Sequence, residues 1–227
     1  MASTQTTLAR ELRTPRSAAV AGIAFALILG AVIVLFRASG PASDGGGTAW
    51  LTDEGRRSAI TTALNLVPFA GIAFLWFIGV IRARLGALED KLFATVFLGS
   101  GLLFVALLFA GAGMIGAVLL LSTGPDPVTD DSIRLAQTMS STLLGTFGAR
   151  MAAVFVLSVT TLGLRTRLVP RWLVVTGYVV ALALLLSPPI SGWSQLLFPA
   201  WVLALSIQIL VASPRDPDTD RSPAATA

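Results

Sequence analysis

The chain has 227 residues, of which 55% are hydrophobic and 12% charged, with a formal net charge of +4 and neither histidine nor cysteine. A soluble domain is roughly half apolar and about one quarter charged, so an ordinary soluble fold is excluded. Without His or Cys, so are His-ligated haem, Cys or His zinc sites, Ser-His and Cys-His catalysis, and disulfides.

Residues 1–16 carry Arg10, Arg13 and Arg16 without apolar periodicity and read as a disordered tail. An apolar run then covers 18–36. It resembles a secretory signal in its basic flank, but a signal h-region is about 7 to 15 residues and this run has 19 and meets Arg37 at once, so an uncleaved helix is expected. Five more runs follow, at 59–81, 92–121, 139–164, 172–187 and 191–212. About 20 helical residues cross a hydrocarbon layer of roughly 30 Å. The fifth run, at 16 residues, borrows Ser187 to Ile190, whereas the third, at 30, tilts or projects. No ten-residue alternation of the barrel kind occurs, so helices are the spanning element. The expected fold is all-α: a six-helix transmembrane bundle over 17–212, then a disordered tail over 213–227.

Between the runs, Gly45 to Gly47 predicts a flexible loop, with Trp50 and Leu51 touching the interface. Ser122 to Asp131 is turn-rich, and Asp130 and Asp131 favour the start of helix four through its macrodipole. Short links at 82–91 and 165–171 pair helices two with three and four with five as antiparallel neighbours. Glu89 and Asp90 beside Arg82, Arg84 and Lys91 read as an exposed charge cluster.

Charge sets the orientation. One side receives Arg10, Arg13, Arg16, Arg82, Arg84, Lys91, Arg165, Arg167, Arg171, Arg215 and Arg221; the other receives Arg37, Arg56, Arg57 and Arg134. Positive residues resist translocation, so both termini are expected in the cytoplasm. Helix association in lipid depends on close packing at small residues. Ladders of that kind appear at Ala18, Gly22, Ala26 and Gly30, at Ser141, Gly145, Ala149 and Ala153, and on the third helix at Ala106/Ala110, Ala112/Gly116 and Gly113/Ala117.

Arg150 is the lone charge inside a run. Over 145–164 the Leu, Phe and Val residues favour insertion by roughly 2.4 to 4.8 kcal/mol, and a central Arg opposes it by about 2.5 to 3.5, leaving helix four the weakest span. Two readings stand. Arg150 lies about 7.5 Å below the outer end of that window and can snorkel outward. Alternatively it joins Asn65, about 9 Å down helix two, and Gln195, about 6 Å down helix six, in an outward polar pocket for a small anion or polar solute. Pro68 and Pro199 favour the second reading, since each strips the hydrogen bond from the carbonyl four residues earlier, that of Leu64 or of Gln195. Thr160, Thr161, Ser158, Ser206 and Gln208 satisfy themselves on their own helix or across a seam. Tyr178, Trp172, Trp193 and Trp201 are interfacial anchors or packing residues.

Asn65 to Arg82 (NLVPFAGIAFLWFIGVIR) and Glu89 to Ala106 (EDKLFATVFLGSGLLFVA) resemble segments of uncharacterised polytopic membrane proteins of high-GC Gram-positive bacteria. The resemblance covers the second and third runs, implies a bacterial plasma membrane and transfers no activity or site.

Two function classes follow: a non-catalytic accessory or assembly subunit, or a small-solute or anion channel or carrier built on the Arg150 cluster. An enzyme is not expected, because its chemistry would fall to loop carboxylates such as Asp53 and Glu54. No cofactor, metal or nucleic acid is expected. The partners are the lipid bilayer and either another membrane protein or a second copy of the chain.

Overall fold

A computed structural model describes residues 15–40, 49–85, 91–124, 129–166, 170–186 and 192–212. Both tails beyond 15–212, the Gly45–Gly47 loop, Glu89 with Asp90, and Ser187–Ile190 lie outside them. Among the described residues there are helices and turns and no strand, as the all-α expectation requires. The order is α1 (Pro15–Ser39), a single turn α2 (Ala49–Thr52), α3 (Glu54–Leu85), α4 (Lys91–Leu121), α5 (Asp130–Thr142), a π segment (Leu143–Gly148), α6 (Ala149–Thr166), α7 (Arg171–Leu186), a 3-10 segment (Gly192–Leu196) and α8 (Leu197–Ala212).

Two helices begin well before their apolar runs. Asp53 caps α3, its Oδ1 accepting the Arg56 amide at 3.0 Å. Thr129 caps α5, its Oγ1 accepting the Ser132 amide at 3.3 Å, with Asp130 and Asp131 in the first turn. Hydropathy marks where a helix enters an apolar medium, whereas the cap marks where its first unpaired amides are satisfied. The two points differ wherever a helix projects. From Asp130 to Thr166 the chain is helical throughout, with the π segment inside it.

Five helices are long and apolar enough to cross a membrane: Ser17–Ser39, Glu54–Arg82, Thr95–Leu121, Asp130–Arg165 and Trp193–Ala212. The sixth apolar helix, α7, has 16 residues. At 1.5 Å per residue it is about 24 Å long, short of a hydrocarbon layer by roughly 6 Å. By length alone, then, five of the six expected spans qualify.

Neighbouring helices run in alternate directions. On α1, Phe25 meets Phe74 of α3 with ring centroids 4.4 Å apart, while a Cβ on Gly22 would strike Phe77, further along α3. A Cβ on Gly71 of α3 would strike Phe109 of α4, and one on Gly101 would reach Ile78 at 2.5 Å. Phe97 of α4 stacks on Phe155 of α6 at 5.0 Å, and Gly111 faces Leu144. The Thr161 and Tyr178 hydroxyls lie 3.1 Å apart between α6 and α7, and Trp201 Nε1 of α8 donates to the Leu173 carbonyl of α7 at 3.4 Å. In each of the first three pairs one residue number rises as the other falls, the signature of antiparallel packing. The end at which α1 stops and α3 begins is called the upper end below.

The core has two parts. Toward the middle and lower end Phe25, Phe74, Phe104, Phe155 and Phe198 form a continuous aromatic cluster with centroid separations of 4.4 to 6.5 Å. At the upper end Trp50, Ile60, Ile115, Val118, Ile133 and Ala136 form a smaller one. Trp50 is wholly buried there rather than touching an interface, because the turn of α2 folds its indole under the start of α3. The small-residue ladders divide. Ala18, Gly22 and Ala26 are buried seam residues, as are Gly145, Ala149 and Ala153, whereas Ala106, Ala110, Gly113 and Ala117 face outward from the chain. A ladder records a face that can be approached closely, and only packing decides whether a helix of the same chain does so.

Candidate functional site: an upper cavity

A cavity of about 380 Å³ lies in the upper half of the bundle. It forms because α1 packs on α3 and α8, whereas α5 and the π segment pack on α4, leaving a gap between the two sets. Its lower wall is apolar, with Leu29 of α1, Phe104 and Leu108 of α4, Ala152 of α6 and Phe198 of α8. Phe104 and Phe198 meet edge to face at 4.9 Å and also belong to the aromatic cluster, so the cavity floor is the roof of the core.

The upper part of the lining is polar. It comprises Arg37 from the last turn of α1, Gln137, Thr138, Ser140 and Ser141 from α5, and Gln195 from the 3-10 segment before α8. Arg37 is half-buried and makes no hydrogen bond or ion pair among the described residues. Gln137 Nε2 is buried with no hydrogen-bond partner. Ser141 Oγ and Thr142 Oγ1 are spent on the Thr138 carbonyl at 2.9 and 2.8 Å. Among the described residues no Asp or Glu lines the cavity. A cation therefore faces the space without a counter-charge among the described lining residues.

The π segment shapes one side. Its register shows in the Ala149 amide, which reaches back five residues to the Leu144 carbonyl and also bonds Thr146 O. Such a widened turn displaces side chains relative to an α-helix. Leu144 lies on the cavity wall and against Gly111, where a Cβ would come within 2.7 Å of its Cγ.

Arg150 sits one turn below. Its Nη1 donates to the Thr146 carbonyl at 2.8 Å, within its own helix and toward the upper end. A backbone carbonyl was the expected type of acceptor, but it comes from the widened turn of the same helix rather than from the prolines of helices two and six. Of Asn65, Arg150 and Gln195, Gln195 lines the cavity, whereas Arg150 and Asn65 are not in its lining and Asn65 is exposed on α3. Pro68 lies inside α3, which continues through it, next to the cavity residue Val67. Pro199 falls in the first turn of α8, where an amide lacks an intrahelical partner in any case.

Sequence reasoning passed over Arg37 and Gln137. Arg37 counted only as a loop charge. For Gln137 a signal existed: Ile133, Ala136 and Ser140 are the buried residues of α5, an amphipathic helix hidden within what hydropathy presents as loop, and Gln137 borders that face. Thr160 also departs from expectation, since its hydroxyl is buried without a partner beside Gly177, whereas Ser158 and Ser206 bond back to Val154 and Val202 at 2.9 and 2.7 Å. Asp53 is occupied as the α3 cap. Among the described residues no three His, Cys, Asp or Glu side chains gather as a metal site. The chain matches no family model, no curated protein and no solved structure.

Proposed function

We infer that this chain is a multi-pass protein of a bacterial plasma membrane, crossing six times with both termini in the cytoplasm. Its role is binding rather than catalysis, as an accessory or assembly subunit whose outer cavity receives a ligand. The observation that carries the reading is the alternation of helix direction around a cavity at the end poor in positive charge. Because α7 runs opposite to α6 and α8, the chain has to return across the layer between them. Local thinning of the bilayer covers the mismatch of its 16 residues. The eleven basic residues of the lower end against four at the upper end support a cytoplasmic lower end. The plasma membrane location rests on the resemblance in helices two and three.

A carrier centred on Arg150 draws less support, since that guanidinium is held by Thr146 and the cation at the cavity is Arg37. A chain without cysteine is a clean background for accessibility labelling. Single cysteines placed at either terminus should stay unmodified by an impermeant maleimide in intact cells, while Thr123→Cys, between α4 and α5, should react. Labelling of either terminal cysteine in intact cells would discard the six-crossing reading.

A further inference from the structure

We propose that the upper cavity binds a single-chain amphiphile with an anionic head, a carboxylate or phosphate monoester, drawn from the outer leaflet. The proposal rests on the outward placement of the cavity inferred above.

Charge fixes the head. Arg37 faces the space, and no carboxylate lines it among the described residues. An anion pairs with Arg37 through charge-assisted hydrogen bonds, and Gln195, from the 3-10 segment packed against α1, offers a further donor. A cationic head would set like charge against Arg37, a penalty in a site of low dielectric.

Polarity along the cavity fixes the rest of the molecule. Going down from Arg37 to Leu29 covers eight residues of α1, about 12 Å at 1.5 Å per residue, and the lining passes from amide and hydroxyl groups to Phe104 and Phe198. A single chain lying along the cavity with its head at the rim follows that gradient. In lipid the apolar wall gains nothing from exclusion of water, so the chain is held by filling a void whose lining otherwise lacks contacts. Selectivity falls to the head.

The test uses native mass spectrometry of the full-length chain released from non-ionic detergent, with dodecyl phosphate, dodecanol, dodecyltrimethylammonium and inorganic phosphate as probes. One dodecyl phosphate should be retained per chain, with dodecanol and dodecyltrimethylammonium held at least about tenfold more weakly, the worth of one hydrogen-bonded charge. Arg37→Gln should weaken dodecyl phosphate about tenfold on the same ground. Ala152→Phe, which fills the lower cavity and leaves the donors in place, should also displace it. Helix content and thermal midpoint of both variants serve as folding checks, and if one fails to fold the other still decides. Equal retention of the three dodecyl compounds, or unchanged retention in the folded variants, overturns the proposal. Displacement of dodecyl phosphate by an equal concentration of inorganic phosphate would identify a soluble anion as the ligand and overturn the bilayer source. Labelling of the termini from outside would remove the leaflet assignment while leaving dodecyl phosphate retention intact, so the two failures are distinguishable.

Discussion

The lower and upper halves of this bundle are packed on opposite terms. Below, Phe74 is fully buried and meets Phe25, Phe77, Phe104, Phe155 and Phe198, and small residues such as Gly22 bring backbones close enough for that cluster to close. Above, the amphipathic α5 replaces an apolar wall, and the helices stand apart around a space with a cation and hydroxyls. What separates the two halves is whether facing positions hold complementary large and small groups, or a polar set that no partner among the described residues completes.

The contrast can be broken by substitution, most severely at the aromatic cluster. Phe74→Ala should destabilise the bundle by about 4 kcal/mol, since five ring contacts lose their partner, as read by unfolding in detergent or by steric trapping. Next comes Arg150→Leu, which should favour insertion of the isolated fourth segment by about 3 kcal/mol in a translocon insertion assay. A change under about 1 kcal/mol there would mean that the guanidinium already reaches the headgroups. Within α7, Leu173 and Leu184 are both fully buried, although Leu184 also borders the cavity. Either Leu→Ala change should cost about 3 kcal/mol, read as a lower thermal midpoint. A much smaller cost at Leu184 would show that the upper half is loosely packed. Gly22→Val should cost about 2 kcal/mol by forcing α1 away from Phe77 and Ser206, visible as a lower thermal midpoint. Smallest and opposite in sign is Thr160→Val, which replaces an unpartnered buried hydroxyl by a methyl and should stabilise by about 1 kcal/mol.

Much of this architecture is legible in the residue order. Long apolar runs mark five helices long and apolar enough to cross a membrane, and short links between oppositely directed runs make α3/α4 and α6/α7 antiparallel. The starts of α3 and α5 are less legible, because Asp53 and Thr129 lie in polar stretches that hydropathy treats as loop. The cavity is less legible still. Arg37, Gln137 and Gln195 come from three separate helical segments, and their meeting depends on how far each helix is shifted and rotated against its neighbours. Arg150 draws notice because charge in lipid is rare, yet a carbonyl four residues away already takes one of its donors. Arg37 draws little notice, because at the end of an apolar run a basic residue is ordinary.

The π segment between α5 and α6 has a consequence for everything above it. The wide turn takes in one residue more than an α-helical turn, so α5 stands about 100° away from the phase that an unbroken α-helix of the same length would give it. Deleting one residue between Leu143 and Gly148 would remove the wide turn and keep that phase, whereas re-closing the segment as regular α-helix with every residue retained would swing α5 by more than a quarter revolution while leaving α6 seated on Phe97 and Tyr178. Gln137 and Ser140 would rotate off the void, and a different stripe of α5 would take their place. The chemical identity of the chamber is thus dialled by the phase of one helix.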